Sequence, residues 1–235
     1  KMLEPVETAQ KKQTQFIASA SHELRTPLAV VRSGLESVEK CSNEEERNYF
    51  LHLMSEETVH MKRLIDDMLL LANSDADTLT IKPEACQPDL LLLDTYEKFE
   101  TLAKKNGLHL ILTLPEEILP DCFCDIHRTE QIFSIIVDNA LCYTPSGGKV
   151  TLSCHAENEM LCFLFEDTGC GISEEKKSHI FERFYRADDA HTDREHFGLG
   201  LCIAKELTEK QNGNIQVVDA PISGSCFMVQ LPCAL

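Results

Sequence analysis

Residues 16–28 read FIASASHELRTPL, and the reading of this stretch decides the first half of the fold. Ile17, Ala20 and Leu24 follow a, d, a spacing, and Leu28, Val31, Leu35 and Val38 continue the three-four rhythm after a one-residue slip around Pro27. The pattern predicts a helix from about Val6 to Lys40. With Ile17 at a, His22 falls at f, farthest from the seam, so its imidazole is expected in solvent. Glu23 adjoins it, and Thr26 follows one turn later on the same face. Pro27 denies the Glu23 carbonyl its helical partner and loosens the helix beside the histidine. The polar connection Cys41-Ser42-Asn43-Glu44 offers Ser42 or Asn43 as the cap of a second helix that runs to Asn73. There Phe50, Met54, Met61, Leu64, Met68 and Leu71 recur at matching intervals. Two helices bury such seams poorly, so pairing of two copies into a four-helix bundle is expected.

Charge narrows the partners. The 39 Asp and Glu outnumber the 22 Lys and Arg, for a formal charge of −17 over 235 residues, which disfavours nucleic acid and anionic membrane. A phosphate-rich ligand remains possible where backbone N–H groups, a few local cations and a metal ion hold it. Eleven cysteines are scattered singly apart from Cys122 and Cys124, with no paired C-x-x-C spacing, and are expected to be reduced and mostly buried. No apolar run approaches the ~20 residues that cross a bilayer, and no signal peptide is visible. The chain opens at Lys1 in a polar stretch of helix formers, so it is expected to be a cytoplasmic piece of something longer, any membrane segment lying outside it.

After Ala76-Asp77-Thr78 the texture changes, dividing the chain into residues 1–77 and 78–235. Strands are predicted over Leu79–Ala85, His109–Leu114, around Phe123, and over Lys149–Ala156, Met160–Glu166, Asn214–Asp219 and Ser225–Leu231. Helices are predicted over Asp89–Lys105, Ile126–Tyr143 and Leu199–Gln211. The run from Ser173 to Phe197 reads as loop with a short helix, and Pro221–Gly224 as a hairpin turn. The second half is therefore expected to be an α+β sandwich, helices on one face of a mixed sheet.

The H-E-L-R-T-P string at the head of a helical hairpin resembles the phosphoacceptor box of sensor histidine kinases. The resemblance makes His22 the nucleophile toward the γ-phosphate of ATP, through a neutral ring nitrogen. It gives Glu23 the part of proton acceptor or tautomer-fixing partner, and Thr26 that of orienting water when a partner regulator is dephosphorylated. Four further segments resemble, in order, the ATP-binding boxes of the histidine kinase, gyrase, Hsp90 and MutL superfamily, whose Bergerat-type fold is an α+β sandwich. In IIVDNALCYTPSGG, residues 135–148, Asn139 corresponds to the magnesium-binding asparagine, with Tyr143 one turn on. In Asp167-Thr168-Gly169-Cys170-Gly171, Asp167 is the acceptor for the adenine amino group, while Gly169 and Gly171 let backbone approach the nucleotide. IFERFYR, residues 180–186, supplies Arg183 and Arg186 as phosphate-facing cations, and Gly198-Leu199-Gly200-Leu201 opens a helix toward the triphosphate.

Three positions depart from the pattern: Ile135 and Cys142 replace an asparagine and a basic residue, and His196 replaces a glycine. The resemblance thus implies a homodimeric kinase that uses ATP and Mg²⁺, with a response regulator receiver domain as partner, anchored if at all by a segment outside this chain. The alternatives are a degenerate, non-catalytic signalling scaffold, favoured by the departures, and an ATPase of the gyrase or Hsp90 kind, disfavoured by the hairpin.

Overall fold

The computed structural model describes residues 4–186, 197–220 and 224–234, with side chains placed except at residues 4–13 and 219. Its first unit is a helical hairpin, α1 (Glu4–Val38) and α2 (Glu44–Asp75). The helix runs unbroken through Pro27, whose ring is buried. Of the two candidate caps it is Asn43 that serves, its side chain accepting from Glu46 N–H at 2.8 Å, an interaction whose loss costs about 1 kcal/mol. Gly34 sets the closeness of the pair: a Cβ there would stand 2.6 Å from Met54 Cγ.

The rest of the chain forms β1 (Glu84–Cys86), α3 (Pro88–Lys105), β2 (His109–Thr113), β3 (Cys122–Cys124), α4 (Ile126–Tyr143), β4 (Lys149–Glu157) and β5 (Met160–Asp167). It closes with the short α5 (Glu174–Lys177), α6 (Gly200–Glu209), β6 (Asn214–Asp219) and β7 (Ser225–Pro232). The five-stranded sheet has the order β2-β4-β5-β7-β6, parallel between β2 and β4 and antiparallel elsewhere, while β1 and β3 make a separate ribbon. Helices α3, α4 and α6 lie against the sheet, with Phe133 of α4 centred over Phe163 and Phe165 of β5 at ring distances of 4.8 and 5.0 Å. Burying each such ring contributes about 1.5–3 kcal/mol.

The strand expected over Leu79–Ala85 is corrected: pairing is confined to Glu84–Cys86. Pro83 cannot donate to a ladder, and the N–H of Lys82 instead meets Asp125 Oδ2 at 2.9 Å. Among the described residues no helix is long and apolar enough to cross a membrane. The turn expected across Pro221–Gly224 lies mostly outside the described residues.

The hairpin packs on the α/β unit through the end of α2. Leu64, Leu70 and Leu71 belong to the same buried cluster as α4 and α6, and Ser74 Oγ donates to Glu206 Oε2 at 2.8 Å. The opposite seam remains bare: Ile17, Leu28 and Leu35 are 57%, 60% and 56% exposed. A stripe of leucine and isoleucine on this scale calls for a second copy. The chain is expected to run as a dimer in light scattering, and the double variant Leu28→Glu with Leu35→Glu as a monomer with unchanged helix content.

Candidate functional site

His22 stands on the outer face of α1 with its side chain 75% exposed. Its Nδ1 lies 3.7 Å from Glu23 Oε1, near enough for the carboxylate to favour a proton on Nδ1 and too long for a formed hydrogen bond. Nε2 is the ring nitrogen left with a lone pair when the proton sits there. Thr26, one turn on, is exposed and borders a groove of about 620 Å³ between the helices, walled by Ala29, Val30, Ser33, Phe50 and Leu53.

The other boxes converge at one end of the sheet. Asp167 ends β5 and is only 4% exposed. Its Oδ1 takes both of its hydrogen bonds, from Gly169 N–H at 2.8 Å and Ser225 N–H at 3.2 Å. Oδ2 accepts from none of the described residues and remains for a donor from outside. Burial pushes the Asp167 carboxyl up, and the two backbone N–H groups pull it back. Gly169 has no room for a side chain, since a Cβ would stand 2.5 Å from the Tyr143 carbonyl oxygen. That contact joins the end of α4 to the loop after β5. Gly171, at φ +73°, stacks its backbone against Gly224. Tyr143 itself is 43% exposed.

Asn139 sits on α4, its Nδ2 donating to Ile135 O at 2.8 Å, which turns Oδ1 away from the helix. The first turn of α6 comes against the same place: a Cβ on Gly200 would meet Ile135 Cγ2 at 3.1 Å and Asn139 Nδ2 at 4.0 Å. Gly198, at φ +71°, accepts from Phe184 N–H at 2.9 Å, so the FERFYR segment and the start of α6 are pinned together where residues 187–196 leave and return. Leu199 is buried and Leu201 packs on the core, so both hold α6 in place by packing. Ile135 fills the space against Gly200, Cys142 is half-buried in the last turn of α4, and His196 lies outside the described residues.

Arg183, expected as a phosphate-facing cation, is engaged by α2 in this structure. Instead of standing free to face phosphates, its guanidinium grips Asp75 of α2 with two bonds of 2.8 and 2.6 Å and lies over the Phe16 ring, 5.4 Å from its centroid. A guanidinium fork fits a carboxylate in two-point contact better than any other side-chain pair, and Asp75 ends α2 within reach. Phe184 adds a ring contact to Phe16 at 5.6 Å, and Lys210 pairs with Asp77. Arg186 is exposed and keeps an interaction of its own. The sequence reading missed Gly224 and Ser225, which close over Asp167. A Cβ on Gly224 would overlap the Asp167 carbonyl, and only the pairing of β5 with β7 brings the two together.

An exposed histidine on a hairpin and four nucleotide-type segments on one sandwich define a known architecture. Residues 12–77 match the His Kinase A (phospho-acceptor) domain, and residues 124–235 match the histidine kinase-, DNA gyrase B- and HSP90-like ATPase. The chain belongs to the sensor histidine kinases. It is 33% identical over 234 residues to the sensor histidine kinase RppB of Synechocystis sp., covering 98% of this chain and 51% of that one. It is also 33% identical over 222 residues to the sensor protein SrrB of Staphylococcus aureus, covering 92% and 37%. This sensor histidine kinase chain therefore spans about half or less of the length of these relatives. The full-length ShkA structure in complex with AMPPNP superposes with a TM-score of 0.72 and 27% identity, over 94% of this chain and 46% of that one.

The donor set fits Mg²⁺ and a nucleotide: Asn139 presents a neutral carbonyl oxygen of the kind magnesium accepts, and Asp167, a buried residue, has an Oδ2 that takes no donor from the described residues. Asn139→Asp replaces the amide N–H that holds Ile135 O with a second oxygen, which the carbonyl repels. It is expected to leave thermal stability within about 1 kcal/mol of the parent and to lower magnesium-dependent nucleotide binding about tenfold or more, measured with a fluorescent ATP analogue. Magnesium-dependent binding that is equal in parent and variant would place the metal elsewhere.

Proposed function

We propose that this chain phosphorylates His22 from Mg-ATP and passes the phosphoryl group to an aspartate of a response regulator receiver domain. The observation that carries the reading is the pairing, in one chain, of an exposed His22 flanked at Nδ1 by Glu23 with a site in which the buried residue Asp167 takes both of its hydrogen bonds on Oδ1 and leaves Oδ2 open to an outside donor. The ShkA structure, solved with an ATP analogue, supports the nucleotide assignment. In this reading residues 1–77 dimerise and carry the histidine, and residues 78–235 bind ATP. The need for ATP places the piece on the cytoplasmic side of whatever anchors the whole protein.

The adenine amino group would donate to Asp167 Oδ2, in a loop that Gly169 and Gly171 let pack closely on Tyr143 and Gly224. The triphosphate lies toward the N-terminus of α6, whose first N–H groups are free of helical partners. Asn139 Oδ1 would hold Mg²⁺, which when bound would supply positive charge against the phosphates. Nε2 of His22 attacks the γ-phosphorus, the N–P bond forms as the bond to ADP breaks, and the Nδ1 proton stays with the imidazole, steadied by Glu23. The phosphoryl group then moves from nitrogen to the receiver carboxylate. The groove beside Thr26 is apolar and open, and it offers the receiver domain a seat next to His22.

Transfer requires the ATP unit to change its seat. Arg183, bound to Asp75 and stacked on Phe16, holds the FERFYR segment about six residues, or about 9 Å of helix rise, from His22. A partly exposed pair of this sort contributes only about 0.2–1 kcal/mol, so it orients the unit without locking it.

Incubation with γ-labelled ATP and Mg²⁺ tests the reading. The label is expected on His22 as a phosphoramidate, stable in base and lost in acid, and His22→Gln should abolish it. Unlabelled parent protein that still binds ATP would favour the scaffold reading, to which Ile135, Cys142 and His196 give colour; release of free phosphate alone would favour a plain ATPase.

Thr26→Ala should leave autophosphorylation near the parent level, because attack on ATP needs only His22 and its flanking base. Orientation of water at a phosphorylated aspartate needs the hydroxyl, so decay of a phosphorylated regulator under ADP should slow on the order of tenfold to a hundredfold. Equal decay with parent and variant would remove Thr26 from the reaction.

A further inference from the structure

Strands β1 and β3 carry a feature that phosphoryl transfer does not use. Cys86 lies directly across the ribbon from Cys122, and Cys122 and Cys124 are two residues apart on one strand, so all three side chains share a face. Their sulfurs all lie within 4.8 Å of one another, those of Cys86 and Cys124 at 3.4 Å. Cys122 and Cys124 are fully buried, and Cys86 is half-buried at the edge. Cys233 pairs its backbone with Cys122 on the other side, closing the ribbon against the chain's last strand.

The geometry points to a binding site for a soft, thiophilic metal ion, Cu⁺ or Zn²⁺, formed by Cys86, Cys122 and Cys124. Three sulfurs at about 2.3 Å from one ion stand about 3.8 Å apart at tetrahedral angles and about 4.0 Å apart in a plane. The observed spacing brackets both values, so an ion could enter with side-chain rotation alone. A disulfide fits less well. The sulfurs 3.4 Å apart belong to a diagonal pair of the ribbon, and diagonal and directly opposed pairs alike hold their Cβ atoms farther apart than the roughly 3.5–4.5 Å that an S–S bond spans.

The surroundings favour a cation. Glu84 is the cross-strand neighbour of Cys124, and Asp121 and Asp125 flank the two buried cysteines. Coordination replaces S–H bonds with metal–sulfur bonds and releases the thiol protons to solvent. Among the described residues no fourth His, Cys, Asp or Glu joins the set. Cu⁺ can be complete with three sulfurs, whereas Zn²⁺ would take water as a fourth ligand at the half-open edge beside Cys86.

The position gives the ion a structural consequence. A ribbon of three residues per strand is marginal alone, yet β1 receives the segment from the hairpin and β3 leads directly into Asp125. Asp125 caps α4 through Arg128 N–H, accepts from Lys82 N–H and donates its own N–H to Gln211 Oε1 at 2.7 Å. An ion across β1 and β3 would tie the interdomain segment to the base of the helix that carries Asn139.

The test uses the full chain, reduced and kept without oxygen, loaded in separate arms with Zn²⁺ and with chelator-buffered Cu⁺, then challenged with chelator. One ion per chain is expected to survive in at least one arm, with X-ray absorption showing three sulfurs at about 2.3 Å; a light oxygen beside them identifies the Zn²⁺ form. Cys86→Ser, at the half-buried edge, should weaken retention at least tenfold while circular dichroism stays unchanged, and Cys41→Ser should retain the ion. Thiol alkylation with peptide mapping gives a second readout on the parent chain: the ion should protect Cys86, Cys122 and Cys124 and leave Cys41 reactive. Equal retention by the parent and Cys86→Ser, or protection that misses these three cysteines, would overturn the site, as would a parent chain that retains neither ion.

Discussion

A carboxylate kept almost out of water imposes more on this molecule than any other group. Asp167, 4% exposed, can remain an acceptor only if hydrogen-bond donors are brought to it, because an unpaired buried charge would simply take up a proton. The fold supplies two backbone N–H groups, from Gly169 and Ser225. Each demands that main chain come closer than a Cβ allows, which explains glycine at 169 beside the Tyr143 carbonyl and at 224 over Asp167. The ends of β5, β7 and α4 are thereby drawn to one point, and the proposed adenine site is what remains between them.

Docking of the hairpin obeys a different balance. The buried leucines at the end of α2 contribute about 1.5–3 kcal/mol each, whereas the ion pairs around Asp75 and Asp77 are partly exposed and contribute far less. Apolar contact therefore holds the two units together, and the Arg183 fork with its Phe16 stack sets their angle. The proposed transfer, in which the nucleotide must reach a histidine on another helix, is served by such a joint, since the oriented contacts are the cheap ones to break. Opening these contacts also releases Arg183.

The elements themselves were legible because each has a period. The three-four spacing of Leu28, Val31 and Leu35 marks α1, the stretch from Ile126 to about Tyr143 is α4, alternation marks β4, and a continuous apolar run marks β5. Boundaries failed where local chemistry overrode the pattern: Pro83 and the Lys82 bond to Asp125 shorten the first strand to Glu84–Cys86. Candidate residues with a local signature, such as His22 with Glu23 and Thr26, or Asp167 with its glycines, could be picked out along the chain. Arg183 could not be placed, because its partner Asp75 is 108 residues away.

By itself the sequence determined the two kinds of unit, their order, the exposure of His22 and the residue types of the nucleotide boxes, since these follow from side-chain periodicity and from contacts within a turn or two. Only the tertiary structure decided which groups meet across the chain. It gave Asp167 its second donor from Ser225, seated Asn139 against Gly200, turned Arg183 to Asp75, and gathered Cys86 to Cys122 and Cys124, cysteines whose spacing along the chain has no metal-site pattern. The physical reason is one of range. Helix and strand propensities act between near neighbours, whereas strand register and helix packing bring together residues tens of positions apart, and no local pattern records those meetings.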